Sequence, residues 1–342
     1  MYARWLTVIV CVLGCGPTPS APPRPEVRWL RGQLHAHSAR SGDSETNPSE
    51  VADWYAAHGF DFLVFTDHDY VTTLAPRDDI LVIPGVELTQ NDRDCDPSPE
   101  PGELCLLHVN ALFVDPLRAG VVHVPPSDRS RRGRFRAAIR RAHALGGLAQ
   151  INHPNFHHAL DAPLLAELGG PGGADLFELA NEAVDSGNRG DARHPSVESL
   201  WDAALTQRGS AGAFATATDD AHHYADADRA RAGGAIAHVG NRGWVSVRVP
   251  AGPVGPAAIR RALEDGDFYA SNGLVLAEVK RRDGTLHVRV DRAATIRFVG
   301  PDGVLSIVEG TRASCRVNQG YVRAVVEDDE GRRAWNQPSF AR

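Results

Sequence analysis

Six segments carry side chains of the kinds that bind metal ions or move protons. They are His35-Ala36-His37, Thr66-Asp67-His68-Asp69, Pro84-Gly85-Val86-Glu87, His108-Val109-Asn110, Asn152-His153-Pro154 and Thr218-Asp219-Asp220-Ala221-His222. Residues two apart in a strand point to the same face, so His35 and His37 can reach one ion. A hydrogen-bonded core histidine is the ordinary alternative for any one of them. Six such segments together are hard to explain as core filling, because burying that many polar groups without a cation is costly. The histidines are also unevenly placed: of 15, all but His287 precede residue 240.

These segments need elements to position them. Val27–Leu34, Phe62–Thr66, Ile80–Ile83, Leu104–Phe113, Leu148–Ile151, Leu176–Leu179 and Ala213–Thr218 read as strands. Asn47-Pro48 opens a helix that Gly59 closes, and Phe135–Leu145 and Val197–Gln207 read as amphipathic helices. The alternation points to a parallel α/β barrel with the polar residues at the carboxyl ends of its strands, where such barrels keep their active sites. After a helix over Pro256–Glu264 the pattern changes to short strands with turn signals, an all-β appendage. Its closing Trp335-Asn336-Gln337-Pro338 is expected to pack back on the barrel.

In this order, the six segments resemble the PHP (polymerase and histidinol phosphatase) superfamily over about residues 30–240. That likeness implies a distorted (β/α)7 barrel, here with a small C-terminal all-β appendage, holding up to three metal ions. Gly243-Trp244, Ala258-Ile259, Ala262-Leu263, Gly266–Gly273 and Ala334–Pro338 resemble the CehA/McbA-type branch, whose members include an aryl carbamate hydrolase. Carried over by position, His35, His37, Glu87 and Asp220 would bind a first ion. Glu87 would bridge to a second, held by His108 and His153, and Asp43, His68 and His222 would hold a third. Glu45 competes with Asp43, and Asp219 with Asp220. Glu87, Asp220 and His153 would be the catalytic set. The donors suit two or three divalent ions, zinc, manganese or iron.

Around them, Asp67 and Asp69 flank His68 as direct or supporting ligands, and Glu178 and Asn181 end a strand at the active face. Arg40 lies in the first active-face loop, where it could meet an anionic substrate. His157, His158, His194 and His223 read as surface residues; His58, His123, His143 and His238 read as structural. The chemistry implied is hydrolysis by a hydroxide bridged between ions, with a small phosphate ester as substrate. A carbamate, ester or amide hydrolase is the alternative, and a metal-stabilised surface binding protein a third reading.

Composition excludes other classes. The chain is 342 residues, 42% apolar and 23% charged, with a net charge of −7, so a nucleic-acid polyanion is not the expected partner. It carries neither a G-x-S-x-G elbow nor a P-loop. Residues 1–14 read as an export signal whose Leu6–Leu13 core is too short to span a bilayer. Val12-Leu13-Gly14-Cys15 resembles a bacterial lipoprotein box, which implies lipidation of Cys15, a Pro-rich tether over 15–26 and a membrane-anchored, exported protein. The expected domains are then 27–240 for metal-dependent hydrolysis and 241–342 for the helix and β-rich appendage. In an oxidising compartment Cys95 and Cys105 can close the loop between them as a disulfide, leaving Cys315 a buried thiol.

Overall fold

The computed structural model describes residues 27–98, 102, 104–125, 128–210 and 212–341. The expected signal, tether and Cys15 lie outside the described residues. The first part of the chain runs β1 (Val27–Gln33), α1 (Pro48–Ala57), β2 (Phe62–Val64), β3 (Tyr70–Val71), β4 (Leu81–Ile83), β5 (Gly85–Asp92), β6 (Cys105–Leu112), β7 (Gly120–Val121), α2 (Arg131–Ala144), β8 (Leu148–Ile151), α3 (Ala162–Leu168), β9 (Leu176–Asn181), α4 (Val197–Arg208) and β10 (Phe214–Thr218). It continues as α5 (Ala227–Ala232), β11 (Trp244–Pro250), α6 (Pro256–Glu264), β12 (Phe268–Ser271), β13 (Leu276–Arg282), β14 (Thr285–Gly300), β15 (Gly303–Arg316), β16 (Tyr321–Glu327), β17 (Arg333–Asn336) and β18 (Ser339–Phe340). Among the described residues no helix is long and apolar enough to cross a membrane.

Local chemistry sets the helix ends. Ser130 and Ser196 each accept a backbone N–H three residues on, opening α2 and α4. Gly209 closes α4 in the left-handed conformation, φ 67°. The short strands β2, β8 and β9 are buried along their whole length, as strands covered on both faces must be.

Two sheets position the site. One runs β10-β9-β8-β6-β5; the other includes β11-β1-β2-β4 and continues through β12 and β17 to β16, β14 and β13. They meet at two seams. Pro84 joins β4 to β5, and beyond β1 and β10 a parallel bridge pairs Ala36 with Ala221. Gly85 sits at the first seam because a Cβ there would lie 2.6 Å from the Phe65 carbonyl oxygen and 2.9 Å from that of Ala111. A side chain would push β5, and Glu87 with it, away from its neighbours.

The expectation of an all-parallel sheet is corrected. β6 is antiparallel to both β5 and β8. Among the described residues no helix separates β5 from β6; the two strands pair as a hairpin, and Cys95 and Cys105 are joined as a disulfide with Cα atoms 5.7 Å apart. Cys315 is half-buried rather than buried.

The sheet also crosses residue 240: β11 pairs antiparallel with β1 over Val27–Gly32, and β12 pairs with β11 and β17. The Gln337 side chain then pairs like a backbone unit with the open edge of β10, accepting from Ala215 N at 3.0 Å and donating to Ala215 O at 2.8 Å.

Candidate metal centre

The two seams bring the six segments together. His35 and His37 follow β1, Asp220 and His222 follow β10, and the bridge between them holds both pairs. His37 N donates to Ala221 O at 2.9 Å and Asp220 N to His35 O at 3.0 Å. His68 follows β2 and is bridged to Glu87 in β5. His108 lies in β6, and His153 follows β8. His153 and Asp220 take up φ of 26° and 51°, a region non-glycine residues enter at a cost. That cost is offset by the Asp220 N–H bond above and by His153 N donating to Glu178 Oε2 at 2.7 Å.

Three donor groups converge. In the first, His35 Nε2 and His37 Nε2 are 3.1 Å apart, each 3.4 Å from Glu87 Oε2 and 3.2 and 3.1 Å from Asp220 Oδ1. In the second, Glu87 Oε1 lies 3.1 Å from His108 Nδ1 and 3.5 Å from His153 Nε2. In the third, Asp43 Oδ2 lies 3.1 Å from His68 Nε2 and 3.2 Å from His222 Nε2, with the His37 ring stacked on His222 at 4.1 Å. Glu87 belongs to the first two groups and touches the third, since Oε2 is 3.0 Å from His68 Nδ1.

The outer nitrogen of most of these rings already has a partner. His35 Nδ1 lies 2.6 Å from Glu178 Oε1. A carboxylate only accepts, so Nδ1 carries a proton, and Nε2 is the nitrogen that faces inward. His37 Nδ1 meets Ser41 Oγ at 2.8 Å, His108 Nε2 meets Asn91 Oδ1 at 2.7 Å, and His222 Nδ1 meets Asp220 O at 3.0 Å. Two imidazole nitrogens at 3.1 Å can share one proton at most, and here that happens twice, at His35–His37 and His108–His153. Imidazole nitrogens and carboxylate oxygens gathered this closely fit divalent cations.

The electrostatics follow from burial and charge together. Burial opposes the charge on Glu87 and Asp220, yet surrounding histidines, His35 foremost, hold both well below the usual carboxylate range. Burial, with His222 and His68 beside it, pushes His37 down to about 3. Burial also opposes charge on His68, but Glu87 and Asp43 outweigh it and push its pKa up to about 11. A cation must displace that proton to use His68.

Two choices the sequence leaves open take a definite geometry. Asp43 enters the third group, while Glu45 points to Arg229 on the surface at 2.9 Å. Asp220 faces the first group. Asp219 faces away, accepting from the backbone N–H groups of Asn241, Arg242 and Gly243, from Gln33 and from the Tyr55 hydroxyl.

Asp67 neither joins the donors nor orients His68. It accepts from Ser38 N at 2.6 Å, from the Ser38 hydroxyl and from Thr72, and so fixes the turn behind His37. Arg40 is displaced from the expected role: it is exposed, lies 5.6 Å over the Tyr70 ring, and does not line the metal cleft.

Glu178, 0% exposed, supports two ligands at once. Besides His35 and His153 it accepts from Thr218 Oγ1 at 2.7 Å and Asn181 Nδ2 at 2.8 Å. Glu178→Gln keeps the shape but turns an NH2 towards donors. We expect it to lower metal affinity or turnover by about 10–100-fold, the usual cost of losing such support. A chelator competition and steady-state kinetics read this directly; unchanged values would exclude the role.

Some site residues gave no sequence signal of their own. Asn152 Nδ2 donates to Glu87 Oε1 at 2.7 Å and to Asn110 Oδ1 at 2.9 Å; both lie within the quoted segments, one or two residues from a ligand histidine. Thr89 and Asn91, on β5 beyond Glu87, meet His68 Nδ1 and His108 Nε2 at 2.7 Å. Alternation along β5 from Glu87 is the signal that would have found them. His238, expected to be structural, borders the cleft. His158 and His194, expected at the surface, stack at 3.5 Å and form a separate donor group with Asp191.

The donors open into a cleft of about 230 Å³, rimmed by Leu106, Phe156, Ala183, Asp185 and Ser186. Among the described residues no arginine or lysine lines it.

No family model and no curated protein matches the chain. Among solved structures, it is similar to a two-domain protein from Bacteroides vulgatus described as containing a predicted PHP-like metal-dependent phosphoesterase. The identity is 16% and the TM-score 0.45, over 91% of this chain and 95% of that one.

Proposed function

We propose that this chain is a metal-dependent hydrolase of the PHP superfamily, in its CehA/McbA-like branch, built on a distorted (β/α)7 barrel and acting on a small phosphate ester. The observation that carries the reading is Glu87, a buried carboxylate whose two oxygens face histidines of different donor groups. Divalent ions, when bound, lower the pKa of coordinated water and supply hydroxide near neutral pH. His35, His37, Glu87 and Asp220 would hold one ion, Glu87, His108 and His153 a second, and Asp43, His68 and His222 a third. Glu178 and Asn152 keep His35, His153 and Glu87 in place, and the cleft rim admits the substrate from one side. The same reading keeps Cys15 as a lipid attachment point that holds the protein at a membrane surface.

One observation favours the second reading, a carbamate, ester or amide. With no arginine or lysine in the cleft lining among the described residues, a neutral carbonyl substrate needs no further charge partner. Turnover separates the two. The chain lacking residues 1–15 is assayed with bis(p-nitrophenyl) phosphate, p-nitrophenyl phosphate and an aryl carbamate, each with zinc and with manganese. The expected result is phosphoester turnover that chelation abolishes and added ion restores. Turnover of the carbamate alone moves the assignment to the second reading. Stoichiometric metal with no turnover of any substrate removes the hydrolase.

A further inference from the structure

A second and larger cavity, about 750 Å³, lies back to back with the metal cleft. Asn181, Ala183 and Ser186 border both, so one turn of chain after β9 separates them. The far wall comes from the C-terminal strands and their loops, through Asn272, Gly331, Arg333 and Trp335. Three guanidinium groups from three separate segments line the space: Arg189 after β9, Arg242 before β11 and Arg333 in β17.

Their charges are not equally committed. Arg333 already meets Glu327 at 2.9 Å and Glu198 at 3.7 Å. Glu198 in turn is held by Arg323 at 3.0 Å. Arg189 and Arg242 make no ion pair among the described residues. Glu182, in the same lining, accepts from Asn272 Nδ2 at 3.1 Å. The lining thus sets three guanidinium groups against the carboxylates of Glu182 and Glu198, beside a metal cleft that no arginine or lysine lines among the described residues.

We infer that this cavity is an anion subsite, in which Arg189 and Arg242 hold a second phosphate group of a substrate whose scissile ester lies in the metal cleft. Guanidinium groups present paired N–H donors that match phosphate oxygens. The link between the two sites rests on the phosphoesterase reading above; the anion site itself rests only on the cavity and its arginines. The substrate class is then an extended ester with two phosphates, spaced to straddle the turn at Asn181–Ser186. The C-terminal strands set its length, because they form the far wall.

Inorganic phosphate is the first probe, titrated calorimetrically into metal-loaded and chelator-treated chain, wild type and Arg189→Gln/Arg242→Gln. The chelated wild type is expected to bind one phosphate, more weakly as salt rises. The double variant is expected to lose that affinity at least about tenfold while metal-loaded protein keeps its ion-dependent phosphate. The second probe is a p-nitrophenyl phosphodiester carrying a terminal phosphate on its other arm. Wild type should prefer it to bis(p-nitrophenyl) phosphate through KM, and the double variant should lose about tenfold of that preference.

Equal phosphate affinity in chelated wild type and double variant, or no binding to chelated wild type, overturns the subsite. Phosphate binding that is lost in the double variant, with no turnover of any ester, keeps the subsite and sinks the phosphoesterase reading instead.

Discussion

On the proposed hydrolase reading, Glu87→Ala is expected to lower turnover by more than the about 10–100-fold that loss of a supporting residue costs, and to lower the metal bound per chain, most of all at the first two donor groups. Glu87 is a member of two donor groups and touches the third. Its Oε2 is within 3.4 Å of His35 and His37 and 3.0 Å of His68, and its Oε1 is 3.1 Å from His108 and 3.5 Å from His153. Removing it takes away a shared negative charge from a cluster in which His35, His37, His108 and His153 are at 0–7% exposure, where water cannot replace it. His68 shows the size of the coupling, since Glu87 and Asp43 together overcome its burial and push it up to about 11.

Glu87→Gln is the informative companion. It fills the same space and can still accept from Asn152, but it carries no charge to share between ions. We expect it to resemble the alanine variant in metal content and turnover while folding more stably. Elemental analysis after dialysis, together with the turnover assay, checks both variants. Unchanged turnover in either would end the bridging role.

The parts of this site that were legible in the sequence were the local ones. His35-Ala36-His37 and Asn152-His153 directly follow the strand patterns Val27–Leu34 and Leu148–Ile151, so their place at a strand end is written in the chain itself. What escaped depended on where a carboxylate turns after distant segments have packed. Asp219 and Asp220 are adjacent in sequence, yet one is claimed by three backbone N–H groups of the 241–243 turn and the other faces His35 and His37. Asp43 and Glu45 divide in the same way, because Arg229 draws Glu45 to the surface.

The fold shows a similar split. The rhythm of strand and helix was readable, but a hairpin between β5 and β6 replaces the crossover helix that a parallel sheet requires. The segment between them, closed by the Cys95–Cys105 disulfide, gave no periodicity from which to read a direction. Arg40 misled for a simpler reason: a charged residue in an active-face loop says nothing about which way the loop turns.

The second large effect lies far from the metals. Arg323→Ala is expected to destabilise the chain by about 3 kcal/mol, the lower end of the range for breaking a buried ion pair. Arg323 is 0% exposed. Its Nε and Nη2 grip Asp202 as a fork, both at 2.6 Å, and Nη2 also reaches Glu198 at 3.0 Å. Its guanidinium lies 4.9 Å over the Trp201 ring, and Tyr321 and Trp335 donate to the same two acids. This network ties β16 and β17 to α4, so it holds the C-terminal strands against the part that carries the metal donors.

The lower end of the range applies because Glu198 and Asp202 keep 22% and 29% exposure and can recover some hydration. Arg323→Lys keeps a charge but loses the fork, and should cost less than the alanine variant. Acid provides the sign check. Burial opposes the charge on Glu198, yet Arg323 holds its pKa below the unfolded value. That contribution is complete above the unfolded carboxylate pKa and is lost as pH falls through the lowered folded one. Urea unfolding of wild type and Arg323→Ala should therefore show a gap that is wide at neutral pH and narrows in acid. A gap that stays constant across that range would mean the arginine acts through packing on Trp201 rather than through its acids.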